Sequence, residues 1–175
     1  MISQNESASK PKLAPVKVPW KVALATPFLK LTVMEFEPTQ VEFVARFKSY
    51  NSDEEYERVV TVTFTGVWRF KGASALSEGY SPVEESFYDW SEVQLPPQTP
   101  SSETLNDWVE QFDHEWKTTG ICPNPGMYEV LYSDWSTRAQ SEETGDKHYL
   151  IIGEEKYIEI LAKVWSWNTH NEIDW

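Results

Sequence analysis

Between Gly72 and Trp116 the chain carries ten Asp and Glu side chains and no Lys or Arg. Carboxylates at that density can hold a cation, exchange protons beside another titratable group, or attract a basic surface. His114 stands among them, between Asp113 and Glu115. Adjacent helix residues point in different directions, so this tripeptide does not chelate one ion by itself. Glu110 and His114, one turn apart, would supply two ligands if His148 or Cys122 brought a third. An exposed histidine on a solvated helix face accounts for the same residues, and no metal or other cofactor is expected.

Nucleophilic catalysis would need Cys122 or a serine beside a histidine and an orienting carboxylate. Such residues are present, but their spacing carries no information, and no nucleophile-elbow pattern, phosphate-binding glycine loop, zinc spacing or EF-hand loop occurs. Cys122, between Ile121 and Pro123, reads as a buried thiol. A hydrolase using His148 or His114 with a carboxylate is the least supported reading, and a non-enzymatic role leads.

Charge sets the sign of the partner. The 175 residues include 15 basic and 28 acidic side chains, a formal net charge of -13. That balance argues against binding a nucleic-acid backbone or an anionic membrane. The expected partner is a basic protein, engaged as immunity proteins and nucleic-acid mimics engage theirs. It would be steered by Glu84, Glu85, Asp89, Glu103, Asp107 and Glu110 with His114, and anchored by an exposed aromatic patch at Trp165 and Trp167, joined by Trp175. A solvated face kept for solubility is the competing explanation, and the segregation of the carboxylates favours binding. From a different class comes a small-ligand or carbohydrate-binding β-domain lined by some of the nine Trp and eight Tyr.

These side chains need a scaffold, and the hydrophobic pattern describes one. Val60, Val62 and Phe64 alternate with Thr61, Thr63 and Thr65, a period of two that only a strand can use. Gly66 marks a bulge or bend in this run, which extends from Arg58 to Lys71. Val41, Phe43, Ala45 and Phe47 alternate in the same way, and Ser86–Val93 and Met127–Tyr132 read as further strands. His148–Gly153 and Lys156–Trp167 read as a hairpin turning at residues 153–155, with Ile158, Ile160, Ala162 and Val164 facing the core.

One helix is expected. Pro96, Pro97 and Pro100 stop the preceding strand, Ser101 or Ser102 caps, and Leu105, Trp108, Val109, Phe112 and Trp116 share an arc about 100° wide. Its opposite face holds Glu103, Asp107, Glu110 and His114. Trp68, Trp90, Trp108, Trp116 and Trp135 are expected in the core or at its rim.

The fold expected is therefore α+β and mainly antiparallel β, as a sandwich or partly open barrel with one amphipathic helix packed on the sheet. Residues 1–19, with Pro11, Pro15 and Pro19, read as a flexible arm; residues 20–168 form a single domain, and residues 169–175 a tail. One cysteine makes no internal disulfide, the first residues lack the apolar run of a signal peptide, and no stretch approaches the roughly eighteen apolar residues of a membrane helix. A cytoplasmic location is the expectation.

Overall fold

The computed structural model describes residues 10–18, 27–32, 38–48, 55–74, 87–138, 145–153 and 156–170. Its centre is a long antiparallel ribbon of two strands, β4 (Glu55–Ser74) and β7 (Lys156–His170). The remaining strands are β1 (Lys12–Pro15), β2 (Pro27–Thr32), β3 (Thr39–Lys48), β5 (Met127–Leu131) and β6 (Lys147–Ile152). All belong to one open antiparallel sheet in the order β1-β5-β6-β7-β4-β3-β2. Two helices, α1 (Ser102–Thr119) and α2 (Asp134–Arg138), flank β5 in the chain. The protein is thus α+β and mainly β, with its described strands in one open sheet instead of two facing ones.

The ribbon is staggered. β3 pairs with the first half of β4, from Glu55 to Phe64, while β6 pairs with the first half of β7, from Tyr157 to Ala162. Gly66 sits where the two halves meet, at φ +69, a conformation open to glycine because it has no Cβ. Just beyond it the register shifts between Val67 and Arg69. Phe64 lies opposite Trp165 before the shift and Phe70 opposite Ile160 after it, so the alternation of β4 against β7 changes parity. Bulges raise the local right-handed twist. The consequence is visible in the packing: Val60, Val62 and Phe64 join Met127, Tyr149, Ile151, Ile158, Ile160 and Ala162 in one core. The Phe64 and Tyr149 rings lie 5.5 Å apart.

A second core fills the other side of β5, β6 and β7, with Leu13, Tyr128, Val130, Leu150 and Tyr157 under Tyr88 and Val93. These strands are buried on both faces, which is why their sequences read as continuous apolar runs, as in Tyr149–Ile152.

Several expectations are corrected. Lys10–Val18 is not a flexible arm. Leu13 and Val18 are buried, β1 pairs with β5, and Pro11 and Pro15 are tolerated because β1 lies at the sheet edge. Phe87–Val93 is a series of turns and not a strand. A single bridge joins Asp89 to Lys12, with Leu13 donating to the Asp89 carbonyl at 2.9 Å and Asp89 donating to the Pro11 carbonyl at 2.8 Å. β7 continues to His170, past the domain end expected at 168. Trp68, expected at the core, is 71% exposed because the bulge turns it outward. Expectations for residues 1–9, 33–37, 75–86 and 171–175 lie outside the described residues.

Candidate functional site

The carboxylate stripe stands on α1, whose ends are set by local chemistry. The Ser101 hydroxyl accepts from the Thr104 N–H at 3.2 Å, and the Thr104 hydroxyl accepts from the Ser101 N–H at 2.9 Å, a reciprocal cap. Gly120, at φ 70, closes the other end by donating to the Trp116 carbonyl at 2.8 Å. Inward lies an aromatic row, Trp108, Phe112 and Trp116, with centroids 5.2 and 5.9 Å apart along it. Phe112 is buried, whereas Leu105, on the same expected arc, is exposed.

Outward lie Glu103, Asp107, Glu110 and His114, all exposed. At a rise of about 1.5 Å per residue the stripe runs roughly 16 Å. Lys117, seven residues after Glu110 and 68% exposed, continues this face as its one described cation, and it pairs with Asp113 at 3.7 Å.

The other sequence-derived residues stand elsewhere. Asp89 is half-buried and built into a turn, its carboxylate accepting from the Ser91 N–H at 2.9 Å. That hydrogen bond, helped by Lys12 and Lys10, holds its carboxyl below the usual range. Lys12 also pairs with Glu92 at 2.6 Å, so the chain's own cation already occupies this corner of the acidic stretch. Trp165 is half-buried, edge-on to the core residue Tyr149 at 6.4 Å, while Trp167 is 37% exposed. Glu84 and Glu85 lie outside the described residues.

A polar cluster missed by the sequence reading lies on the face of the second core. The β6–β7 register pairs His148 with Leu161 and Leu150 with Glu159, which puts all four on one side of the sheet. His148 Nδ1 is 2.6 Å from the Ser133 hydroxyl, which also accepts from the Trp135 N–H at 3.0 Å. His148 Nε2 lies 3.8 Å from Glu159 Oε2, and Tyr88 donates to Glu159 Oε1 at 3.0 Å. The Trp135 ring stacks on the imidazole at 4.5 Å and 5°, and the Arg69 guanidinium sits 4.0 Å from the Trp135 ring centre. Lys71 lies 3.8 Å from Glu159. Tyr132, the residue before Ser133, has φ 59, unusual for a non-glycine residue, and its side chain is exposed.

Burial pushes the His148 pKa down to about 4, with Arg69 and Lys71 adding to the effect. The imidazole is therefore neutral at pH 7. One hydrogen bond joins the Ser133 hydroxyl and Nδ1, its direction set by the imidazole tautomer, and Nε2 faces Glu159. Hydroxyl, imidazole and carboxylate stand in the order of a nucleophilic relay, but the 3.8 Å between Nε2 and Glu159 is longer than a hydrogen bond. Ser133 is only 2% exposed and caps α2, so in this structure its hydroxyl fastens a helix and does not meet a substrate. The signal for this cluster lay in the pairing of the last two strands, whose register brings His148 and Glu159 to one side of the sheet.

Other chemistries find little support. Cys122 is 1% exposed, its Sγ donates to the Asn124 carbonyl at 3.4 Å, and burial pushes the thiol up to about 12. Among the described residues no three His, Cys, Asp or Glu side chains are grouped to hold a metal ion. Nor, among those residues, is any helix long and apolar enough to cross a membrane. Comparison with protein-family models, with curated proteins and with solved structures finds no match.

Proposed function

We propose that this chain is a non-enzymatic acidic binding protein that engages a basic protein surface through the exposed face of α1. The observation that carries the reading is the stripe of Glu103, Asp107 and Glu110 on one solvent-facing side of an 18-residue helix. Like charges three and four residues apart each cost a helix a few tenths of a kcal/mol, about 0.2–0.5 per pair. A cationic surface docked along the stripe reverses the sign of that cost. The net charge of -13 extends the field beyond the helix and speeds encounter with a basic partner. Trp167 and the bulge residue Trp68, both exposed on the central ribbon, are aromatic side chains able to anchor such a partner. The proposal places the protein in the cytoplasm, where its one thiol stays reduced.

The test is a pull-down from a lysate of the source cell at low and high salt, with the wild type and a Glu103→Gln, Asp107→Asn, Glu110→Gln variant. A basic protein held only by the wild type and released as the Debye length shrinks from about 30 Å at 0.01 M to about 8 Å at 0.15 M supports the reading. Equal capture by both proteins, or capture indifferent to salt, removes it.

A further inference from the structure

β4 runs on past the strand that covers it. β3 pairs with β4 only as far as Thr39 opposite Phe64, and Pro38, next in that direction, has no N–H with which to continue the ladder. Over residues 65–74, β4 is held by β7 along one edge, and among the described residues no strand pairs with its outer edge. Such an edge presents a row of backbone N–H and C=O groups. It is also open to solvent: residues 68–72 are all exposed, with Trp68 at 71% and Phe70 at 49%. We propose that this outer edge of β4 is a docking site for an extended acidic segment of a partner protein, which adds to the sheet as a further strand.

The backbone sets the shape of the occupant, and the side chains set its sign. Only an extended chain meets N–H and C=O groups that repeat along a strand. Arg69 and Lys71 stand on one face of β4, opposite Leu161 and Glu159, and Phe70 stands on the other, opposite Ile160. The Arg69 guanidinium lies 4.0 Å from the Trp135 ring centre, and no carboxylate among the described residues pairs with it. Lys71 reaches Glu159 at 3.8 Å, the long end of an ion pair, and its side chain is 47% exposed. A strand that alternates carboxylate with apolar side chains sets the first against Arg69 and Lys71 and the second against Phe70. Charge disfavours a second copy of this chain. Two exposed runs paired antiparallel about Phe70 set Arg69 against Lys71 twice, and like charges directly opposite repel. The occupant of this edge is thus opposite in sign to the partner of the α1 stripe, and the two surfaces act independently.

An NMR titration of the intact, isotope-labelled chain with synthetic peptides tests the site. The probe is an end-capped peptide of roughly eight residues, a strand's length, alternating Glu with Val. Its two controls are the same peptide with Lys in place of Glu, and the Glu form N-methylated throughout, which keeps the charge and removes every strand hydrogen bond. The Glu peptide should shift the amides of residues 67–73 and slow their hydrogen exchange, while both controls leave them in place. Arg69→Glu, at an exposed position, should weaken the Glu peptide about tenfold and leave the amides of β5 and β6 where they were. Shifts confined to α1, or none at residues 67–73, overturn the proposal. So does equal binding of the Lys peptide, which removes the choice of sign, or of the N-methylated peptide, which removes strand addition. A dimer that forms through this edge as concentration rises makes the occupant a second copy and overturns it too.

Discussion

Replacing Gly66 by alanine is expected to weaken the whole fold, because the residue does two jobs at the centre of the ribbon. Its φ of +69 lies in the left-handed region, where an L side chain costs roughly 1–2 kcal/mol. A Cβ placed there would also stand 3.0 Å from the Lys163 Cβ, tighter than side-chain carbons tolerate. That atom is fixed to the β7 backbone and cannot swing aside, so the strands must part slightly, an overpacking cost of about 1–3 kcal/mol. Together the two effects amount to about 2–5 kcal/mol, a large share of the roughly 5–15 kcal/mol available to a domain of this size. Urea unfolding followed by tryptophan fluorescence measures it: the midpoint should drop at nearly constant m. Lys163→Gly in the Gly66→Ala background removes the Cβ contact but leaves the dihedral strain, so a double-mutant cycle should recover about 1 kcal/mol or more. A Gly66→Ala midpoint within about 0.5 kcal/mol of wild type would refute the argument, and a vanishing coupling would refute its contact half.

Three further outcomes follow from the buried groups. His148 is held at about 4 against an ordinary 6.5, so the neutral form belongs to the fold; the stability it contributes is complete above pH 6.5 and is lost as pH falls toward 4, up to about 3 kcal/mol. Melting temperatures between pH 7 and pH 4.5 should show this fall in the wild type and a shallower one in His148→Asn. Tyr88→Phe removes a hydrogen bond to the buried Glu159 carboxylate and should destabilise by about 1.5–3 kcal/mol in urea; no shift of the midpoint would mean that water takes over the role. Cys122, with its thiol pushed up to about 12 and 1% exposed, should stay unmodified by a thiol reagent at pH 8 until the protein unfolds, and modification at the rate of a free thiol would contradict the burial.

Element types were legible because they depend on near neighbours. The threonine alternation of β4 and the Ser101 cap of α1 are decided within a few residues by backbone sterics and local hydrogen bonding. The α1 stripe was legible for the same reason, since residues 103, 107, 110 and 114 share a face by helical spacing alone.

What only the tertiary structure decided depends on which strands meet and in what register. Leu13 and Val18 looked like part of a polar arm until pairing with β5 and the bound corner at Asp89 buried them. Glu159 and Leu161 stood on the less aliphatic side of β7, and a second core covers that side as well. Trp68 had the composition of a core residue, and one extra residue in the ladder turned it to solvent. The histidine cluster draws Tyr88, Ser133, His148 and Glu159 from four separate segments, with distances set only once the strand order is set. Local periodicity tells a strand that it has two faces. Only its neighbours across the sheet decide which of them is dry.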